Sequence, residues 1–299
     1  TGCSSIYGGN VLGTAYNVPW ASSLFEDNAE FGMGMAVADH IRKDKIRSII
    51  EKNVALIPER DKEIYASYYK RLDYQSSCLL YEVVENSKIT ELIAMKEFIK
   101  AKSFWIIGGD GWAYDIGFGG LDHVLSTHEN VNILVLDTEV YSNTGGQASK
   151  SSPKGSVAKF ASRGKENAKK DLARIALSYP HVYVATISLG ANMQQAINAL
   201  TEAKNYNGPS IIIAYAPCIA QGILKGMSNS IEEEKIATQS GYFPIFRYNP
   251  INQKFTLDSK ADFEKYKEFL LGENRYRTLG RTNPAKLDEL LSENMKDAI

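Results

Sequence analysis

The sequence predicts an α/β fold in which a mainly parallel sheet is flanked by helices. Between about residues 103 and 220, short apolar runs alternate with segments of helix length, a pattern typical of consecutive strand–helix–strand units. Residues 24–100 have helical patterning instead, so we expect a helical insertion at about residues 40–100, before the first strand. The chain has 299 residues, of which 44% are apolar, and this is enough for a sizeable core.

Four short apolar runs are the predicted strands of the parallel sheet. Each is long enough for a strand but too short for a helix, and turn-forming residues separate it from the next segment. The runs are residues 104–107, 131–136, 181–187 and 210–215. A further strand is predicted at residues 243–248.

Helical segments fill the intervals between these strands. We expect helices at residues 116–126, 164–179 and 192–206, the second of them Lys-rich and amphipathic, and a terminal helix at residues 285–298. Residues 1–23 are rich in Gly and Ser and are predicted to be a loop. Residues 1–240 are assigned to one domain and residues 241–299 to its C-terminal extension.

The composition limits the classes of function. The net charge is -1 and no basic patch dominates, so nucleic acid is not expected as a partner. The sequence contains no run of 18 apolar residues, so no membrane-spanning helix is predicted. The odd set of cysteines, Cys3, Cys78 and Cys218, favours free thiols in a reducing compartment and a cytoplasmic location. Because the chain begins at Thr1 rather than at Met, we expect a piece of a longer protein.

Polar residues follow two of the predicted strands where each strand ends. Asp110 lies between two glycines after the first strand, and Thr138 follows the second, 28 positions later. This spacing corresponds to one strand–helix–strand unit, so both residues should lie at the carboxyl edge of the sheet, where ligands bind. Mg²⁺ prefers oxygen ligands, and Asp110, Thr138 and the Val140 carbonyl could supply them. Gly-Asp-Gly alone also fits an ordinary turn after a strand.

Longer strings in the chain resemble one family of enzymes. Residues 1–10, 23–32, 109–122 and 137–147 are similar to the fused, single-chain pyruvate:ferredoxin (flavodoxin) oxidoreductases. The resemblance covers nearly the whole chain and corresponds to the C-terminal domain of that family. It implies a thiamine diphosphate-binding fold, with thiamine diphosphate, Mg²⁺ and a [4Fe–4S] cluster as cofactors.

The resemblance also implies roles for particular residues. Asp110, Thr138 and the Val140 carbonyl would bind Mg²⁺, and Asn143 would face the reacting carbons as the catalytic residue. Cys3 and Cys218 would be two of the four cluster ligands, whereas Cys78 has no implied role. The remaining implied cofactor contacts are Gly109, Gly111 and Trp112 at the diphosphate, and Glu139, Tyr141 and Ser142 along the cofactor.

The implied reaction is the oxidative decarboxylation of pyruvate with coenzyme A to acetyl-CoA and CO₂. Electrons would pass through [4Fe–4S] clusters to ferredoxin or flavodoxin. We expect the intact enzyme to be a homodimer that contains further domains of the same chain, and residues 1–299 to be inactive by themselves.

Two alternatives remain open at this point. One is a thiamine diphosphate-dependent 2-oxo acid decarboxylase or synthase without electron transfer, in which Cys3 and Cys218 would be inert thiols. The other is a non-enzymatic nucleotide- or phosphate-binding α/β module.

Overall fold

A computed structural model of the chain describes residues 20–298, which fall into two compact units. One unit is Gly32–Phe104, and the other combines Trp105–Ile299 with the described residues up to Phe31. Helix α1, Asn28–Lys52, continues through the boundary between them. None of the helices in the described part of the chain is both long enough and apolar enough to cross a membrane.

The smaller unit is helical. After α1 it contains α2 (Lys62–Arg71), α3 (Tyr74–Val83) and α4 (Thr90–Ala94), joined by short 3₁₀ turns. Asp73 caps α3, because its side chain accepts a hydrogen bond from Ser76 N at 2.7 Å. Large apolar side chains at helical spacing form its core: Ile46, Ile49, Ile50, Tyr65, Tyr68, Leu80, Val84 and Leu92.

The larger unit is built on a six-stranded sheet, which confirms the predicted α/β class. Its strand order is β1-β2-β4-β3-β5-β6. The first four strands in the chain are parallel to one another, and β5 and β6 form an antiparallel edge. The strands are β1 (Trp105–Gly109), β2 (Asn132–Asp137), β3 (Tyr183–Ile187), β4 (Ser210–Tyr215), β5 (Phe246–Asn249) and β6 (Lys254–Leu257).

Helices cover this sheet. Helix α7 buries Ala196, Ala199 and Ala203 in a cluster with residues of β3, and their spacing of three and four places them on one helical face. The helical segments of the larger unit are a π-helical turn (Gly111–Ile116), α5 (Phe118–Ser126), α6 (Leu172–Ala176), α7 (Met193–Asn205), α8 (Ser230–Gln239), α9 (Tyr266–Leu271), α10 (Asn274–Thr282) and α11 (Pro284–Ala298).

The predicted helix at residues 164–179 is wrong for most of its length, because only α6 is helical there. The backbone of Lys165 pairs with Gly155 and Ser156, and Lys170 N donates to the carbonyl of Lys150. These backbone groups therefore cannot form the i to i−4 bonds of a helix. Asp171 then starts α6, since its side chain accepts from Arg174 N at 2.8 Å. The lysine pattern belongs to a loop, and not to an exposed helical face.

The sheet register determines which loops meet. Gly109 of β1 lies beside Leu136 of β2, and Asp137 of β2 lies beside Tyr215 of β4. Since β2 is between β1 and β4, the segments that follow these three strands emerge side by side at the carboxyl edge. This is the edge where parallel sheets of this kind bind ligands.

Candidate functional site

Three oxygen-bearing groups converge at this edge, as the sequence predicts. Thr138 Oγ1 lies 2.7 Å from Asp110 Oδ1 and 3.1 Å from the carbonyl oxygen of Val140. Asp110 follows β1 and Thr138 follows β2, so the pairing of the two strands brings them together. A carboxylate, a hydroxyl and a carbonyl are the ligand types that Mg²⁺ accepts.

Two serines that the sequence analysis did not identify fix the other oxygen of this carboxylate. Ser149 Oγ and Ser151 Oγ lie 2.7 Å and 2.8 Å from Asp110 Oδ2. The carboxylate is thus oriented with Oδ2 towards the serines and Oδ1 towards Thr138. No sequence pattern indicates these two contacts. A Ser-rich loop is common, and the contacts span 39 and 41 positions.

Asp110 is almost fully buried, and this has an electrostatic consequence. Burial and, to a smaller extent, the nearby Asp137 charge together raise the pKa of Asp110 to about 6, against the opposing effect of the three hydroxyl groups. A buried carboxylate is costly unless a cation or hydrogen bonds compensate it. Among residues 20–298, no cluster of three or more His, Cys, Asp or Glu forms a conventional metal site. A cation here would therefore depend on neutral oxygen ligands beside Asp110.

Packing requires some of the glycines around Asp110 but not all of them. A Cβ at Gly108 would lie 2.3 Å from the Trp112 ring, and one at Gly111 would lie 2.3 Å from the Tyr141 ring. Both glycines are therefore required by packing. A Cβ at Gly109 would meet no protein atom closer than 3.9 Å. Packing therefore does not require glycine at position 109, and a diphosphate group could approach the backbone there.

The segment after Val140 forms a closed turn. Tyr141 N donates to Gln147 O at 2.9 Å, and Gly146 N donates to Tyr141 O at 2.8 Å. Asn143 is exposed in this turn. Ser142 Oγ lies 3.0 Å from Cys218 Sγ. The turn thus presents Asn143 at the surface while Ser142 contacts the loop after β4.

Cys218 is a buried free thiol at the same edge of the sheet. The Gln221 side chain accepts from Cys218 N at 3.0 Å and donates to Thr138 O at 3.1 Å, so the Cys218 loop is attached directly to the Thr138 loop. Cys78 is on α3 of the helical unit. Cys3 lies outside the described residues, so its predicted proximity to Cys218 stays a prediction.

Comparison with known proteins shows a matched domain and relatives that are similar over the whole chain. Residues 92–214 match the family described as thiamine pyrophosphate enzyme, C-terminal TPP binding domain, a range that contains Asp110, Thr138 and Asn143. The pyruvate:ferredoxin oxidoreductase of Moorella thermoacetica is 45% identical, covering 100% of this chain and 28% of the relative. Over its whole length the chain is similar to one part of the pyruvate:ferredoxin and pyruvate-flavodoxin oxidoreductases.

Two further relatives are similar to the chain over the same extent. The pyruvate-flavodoxin oxidoreductase of Klebsiella pneumoniae is 44% identical, covering 100% of this chain and 27% of the relative. The mitochondrial pyruvate dehydrogenase [NADP(+)] of Euglena gracilis is 45% identical, covering 100% and 18%. The chain therefore spans about a quarter or less of the length of these relatives. The Cys218 loop and the segment after it lie beyond the matched thiamine pyrophosphate domain.

An ion cluster lies directly behind the Thr138 loop; we define it as Asp137, Glu139, Lys169, Glu273 and Arg275. Lys169 Nζ lies 2.6 Å from Asp137 Oδ2 and 2.8 Å from Glu139 Oε1. Arg275 lies 2.7 Å from Glu139 Oε2 and 2.5 Å from Glu273 Oε2. The three carboxylates and Arg275 are buried. Each carboxylate therefore has a cation beside it, as buried charges require.

Two of the residues predicted as cofactor contacts are used in internal packing. The Glu139 side chain is in the ion cluster, and its carbonyl accepts from Ser152 Oγ at 2.6 Å. The Trp112 ring is buried between Gly108 and Gly117. The geometry thus gives both residues internal contacts and gives no support to a direct contact of their side chains with a cofactor.

Glu273 should make folding stability depend on pH. Burial raises the pKa of Glu273 to about 7 with a smaller contribution from the Glu139 charge, although Arg275 opposes the shift. Its contribution to stability is thus fully present below its ordinary pKa and is lost as the pH rises through about 7. We expect the melting temperature to be higher at pH 6 than at pH 8, and Glu273→Gln to reduce this difference. The exposed Glu289→Gln serves as the control, and an unchanged pH difference in Glu273→Gln would contradict the assignment.

Proposed function

We propose that this chain is the thiamine pyrophosphate-binding part of an enzyme that oxidatively decarboxylates pyruvate with coenzyme A to acetyl-CoA and CO₂. Electrons would leave through iron–sulfur clusters to ferredoxin or flavodoxin. The convergence of Asp110, Thr138 and the Val140 carbonyl carries the proposal, since it occurs within the matched thiamine pyrophosphate domain. The chain is 45% and 44% identical to two pyruvate oxidoreductases over its whole length, which supports pyruvate as the substrate.

The residues at the site fit Mg²⁺ and a diphosphate. Asp110 Oδ1, Thr138 Oγ1 and the Val140 carbonyl oxygen would hold the metal, and the open backbone at Gly109 would accept the diphosphate. When bound, thiamine pyrophosphate supplies the carbon centre that adds to a 2-oxo acid and takes up the electrons left by decarboxylation. The protein binds and orients the reactants around it.

The side chains around the site have separate roles in this proposal. Ser149 and Ser151 keep the Asp110 carboxylate in one orientation, so that a single oxygen faces the metal. Tyr141 packs against Gly111 and donates to its carbonyl at 3.2 Å, which keeps the turn next to the diphosphate-binding backbone. Asn143, exposed in that turn, would hydrogen-bond to the substrate carbonyl.

Cys218 is a candidate ligand of the first electron acceptor. It is a free, buried thiol in contact with the Ser142 turn, and thiolates are the usual ligands of [4Fe–4S] clusters. Cys3 would be a second ligand, and the two others would come from elsewhere in the protein. Free thiols and such a cluster require a reducing compartment, in agreement with a cytoplasmic enzyme. A homodimer is the assembly we propose.

The test is a titration followed by an assay of the full-length protein, prepared without oxygen. We expect thiamine pyrophosphate to bind only when Mg²⁺ is present, and pyruvate with coenzyme A then to reduce a low-potential dye. Turnover of pyruvate without dye reduction would instead indicate a non-redox decarboxylase or synthase. Failure to bind thiamine pyrophosphate would contradict the proposal.

Asn143→Ala should separate binding from turnover. We expect the affinity for thiamine pyrophosphate to stay within about threefold and kcat to fall by roughly tenfold to a hundredfold, since Asn143 would act where charge develops in the transition state. Steady-state kinetics and a parallel binding titration would measure the two effects. Thr144→Ala, the next residue in the same exposed turn, tests whether the effect is specific to position 143. Equal loss of affinity and kcat in Asn143→Ala would contradict this role.

A further inference from the structure

Glu139 has a backbone conformation that is unusual for its residue type. Its φ is 60°, in the left-handed region, although it is not a glycine. That conformation is unfavourable for an L-residue, and it persists only where the surrounding structure imposes it. The left-handed residue lies between Thr138 and Val140, two of the three groups that converge at the candidate metal site.

The conformation has a direct geometric effect. Because the chain turns at residue 139, the side chain of Thr138 and the carbonyl of Val140 point to one place, with 3.1 Å between their oxygens. An extended backbone rises about 3.3 Å per residue, so it would carry the Val140 carbonyl along the strand and away from the Thr138 side chain. The left-handed turn is therefore what makes both groups available to a single ion.

The ion cluster holds this turn from both sides. The Glu139 carboxylate receives Lys169 at 2.8 Å on one oxygen, and Arg275 at 2.7 Å and Tyr242 at 2.6 Å on the other. Lys169 also contacts Asp137 at 2.6 Å. Lys169 thus bridges the residues immediately before and after Thr138, and it comes from a loop far from them in sequence.

Stability alone is a poor explanation for this arrangement. Replacing buried ion pairs with apolar side chains is often neutral or stabilising, and glycine would adopt the left-handed conformation without strain. A carboxylate held by two cations instead gives the residue an anchor that fixes its orientation. We propose that Lys169 is a positioning residue, which through Asp137 and Glu139 holds Thr138 and the Val140 carbonyl in the geometry that binds Mg²⁺. This inference rests on the proposed metal site.

The experiment compares metal affinity with stability in the full-length protein. Mn²⁺, added with thiamine pyrophosphate, replaces Mg²⁺ as the probe, and its paramagnetic resonance spectrum reports free and bound ion. We expect Lys169→Met to weaken metal binding at least tenfold and to change the spectrum of the bound ion. Lys169→Arg, which retains the charge and can reach both carboxylates, should recover affinity to within about threefold of the native protein.

A matched control distinguishes positioning from a general loss of stability. Arg247 exposes 20% of its side chain, similar to the 26% of Lys169, and it pairs with Asp258 and Glu202 away from the site. Arg247→Met should lower the melting temperature without changing metal affinity. Lys169→Met with lowered melting temperature but native affinity and spectrum would overturn the inference.

Failure of Lys169→Met to fold and failure of the proposed function can each be distinguished from failure of this inference. If Lys169→Met does not fold, Tyr242→Phe removes one hydrogen bond to Glu139, and it should weaken metal binding about twofold to fivefold; native affinity in that variant would count against the inference. If the native protein binds neither Mn²⁺ nor thiamine pyrophosphate, the proposed function fails, irrespective of the Lys169 variants.

Discussion

Asp110→Ala is expected to abolish Mg²⁺-dependent binding of thiamine pyrophosphate. Asp110 provides the one carboxylate among the three converging groups, and its Oδ1 lies 2.7 Å from Thr138 Oγ1. Without it, a cation would face only neutral oxygens, while the hydroxyl groups of Ser149 and Ser151 would lose their acceptor. We expect affinity to fall at least about a hundredfold, equal to about 3 kcal/mol. Isothermal titration of the cofactor with Mg²⁺ would measure it.

Two further variants test whether the charge of Asp110 is responsible and whether the effect is specific to this carboxylate. Asp110→Asn keeps the shape of the side chain and removes its charge, so it should lose nearly as much affinity as Asp110→Ala. Asp122→Ala removes a carboxylate from α5 that accepts from the Tyr179 hydroxyl at 2.9 Å, and it should bind the cofactor normally. Native-like affinity in Asp110→Asn would show that the charge is not what holds the metal.

Substitution by alanine should have different effects at two adjacent glycines: Gly108→Ala should reduce stability, and Gly109→Ala should reduce cofactor affinity. Gly108→Ala would place a Cβ 2.3 Å from the buried Trp112 ring, and we expect destabilisation of about 1–3 kcal/mol from overpacking. Gly109→Ala meets no protein atom closer than 3.9 Å, so the melting temperature should change little. The added methyl would occupy the space proposed for the diphosphate, so cofactor affinity should fall by about tenfold or more.

Thermal unfolding without ligand and a cofactor titration would separate these two effects. The comparison is informative because the positions are neighbours in one strand and the change is the same single methyl group. A destabilised Gly109→Ala protein, or one that binds the cofactor normally, would argue against an open diphosphate site at Gly109.

Local patterns were sufficient to predict the sheet and the convergence of the Asp110 and Thr138 side chains at its edge. β1 and β2 are short apolar runs, and a parallel connection of that length places Asp110 and Thr138 on neighbouring strands, where the structure has them. The polar residues after each strand therefore identified the edge. Prediction succeeded because each of these inferences depends on one strand–helix–strand unit.

The supporting residues could not be predicted in this way. Ser149 contacts Asp110 across 39 positions, and Lys169 contacts Asp137 across 32, so only the folded chain brings them together. The lysines of residues 164–171 predicted a helix wrongly for the same reason. Their spacing resembles an exposed helical face, yet Lys165 Nζ donates to backbone carbonyl groups and Lys169 enters the ion cluster. Periodicity indicates amphipathic character but cannot identify tertiary partners.

Arg275 lies in the first turn of α10, late in the chain, and its contact with Glu139 has a consequence for the order of folding. During synthesis, β1 to β4 and the whole matched domain leave the ribosome before Arg275 does. The contact closes a long loop, which costs chain entropy before it returns any stabilisation. A nascent chain can thus form its central sheet early while the turn at Glu139 still lacks one of its two cations. The turn is complete only after the C-terminal helices have docked, so any metal that it binds should be taken up after synthesis of the polypeptide is complete.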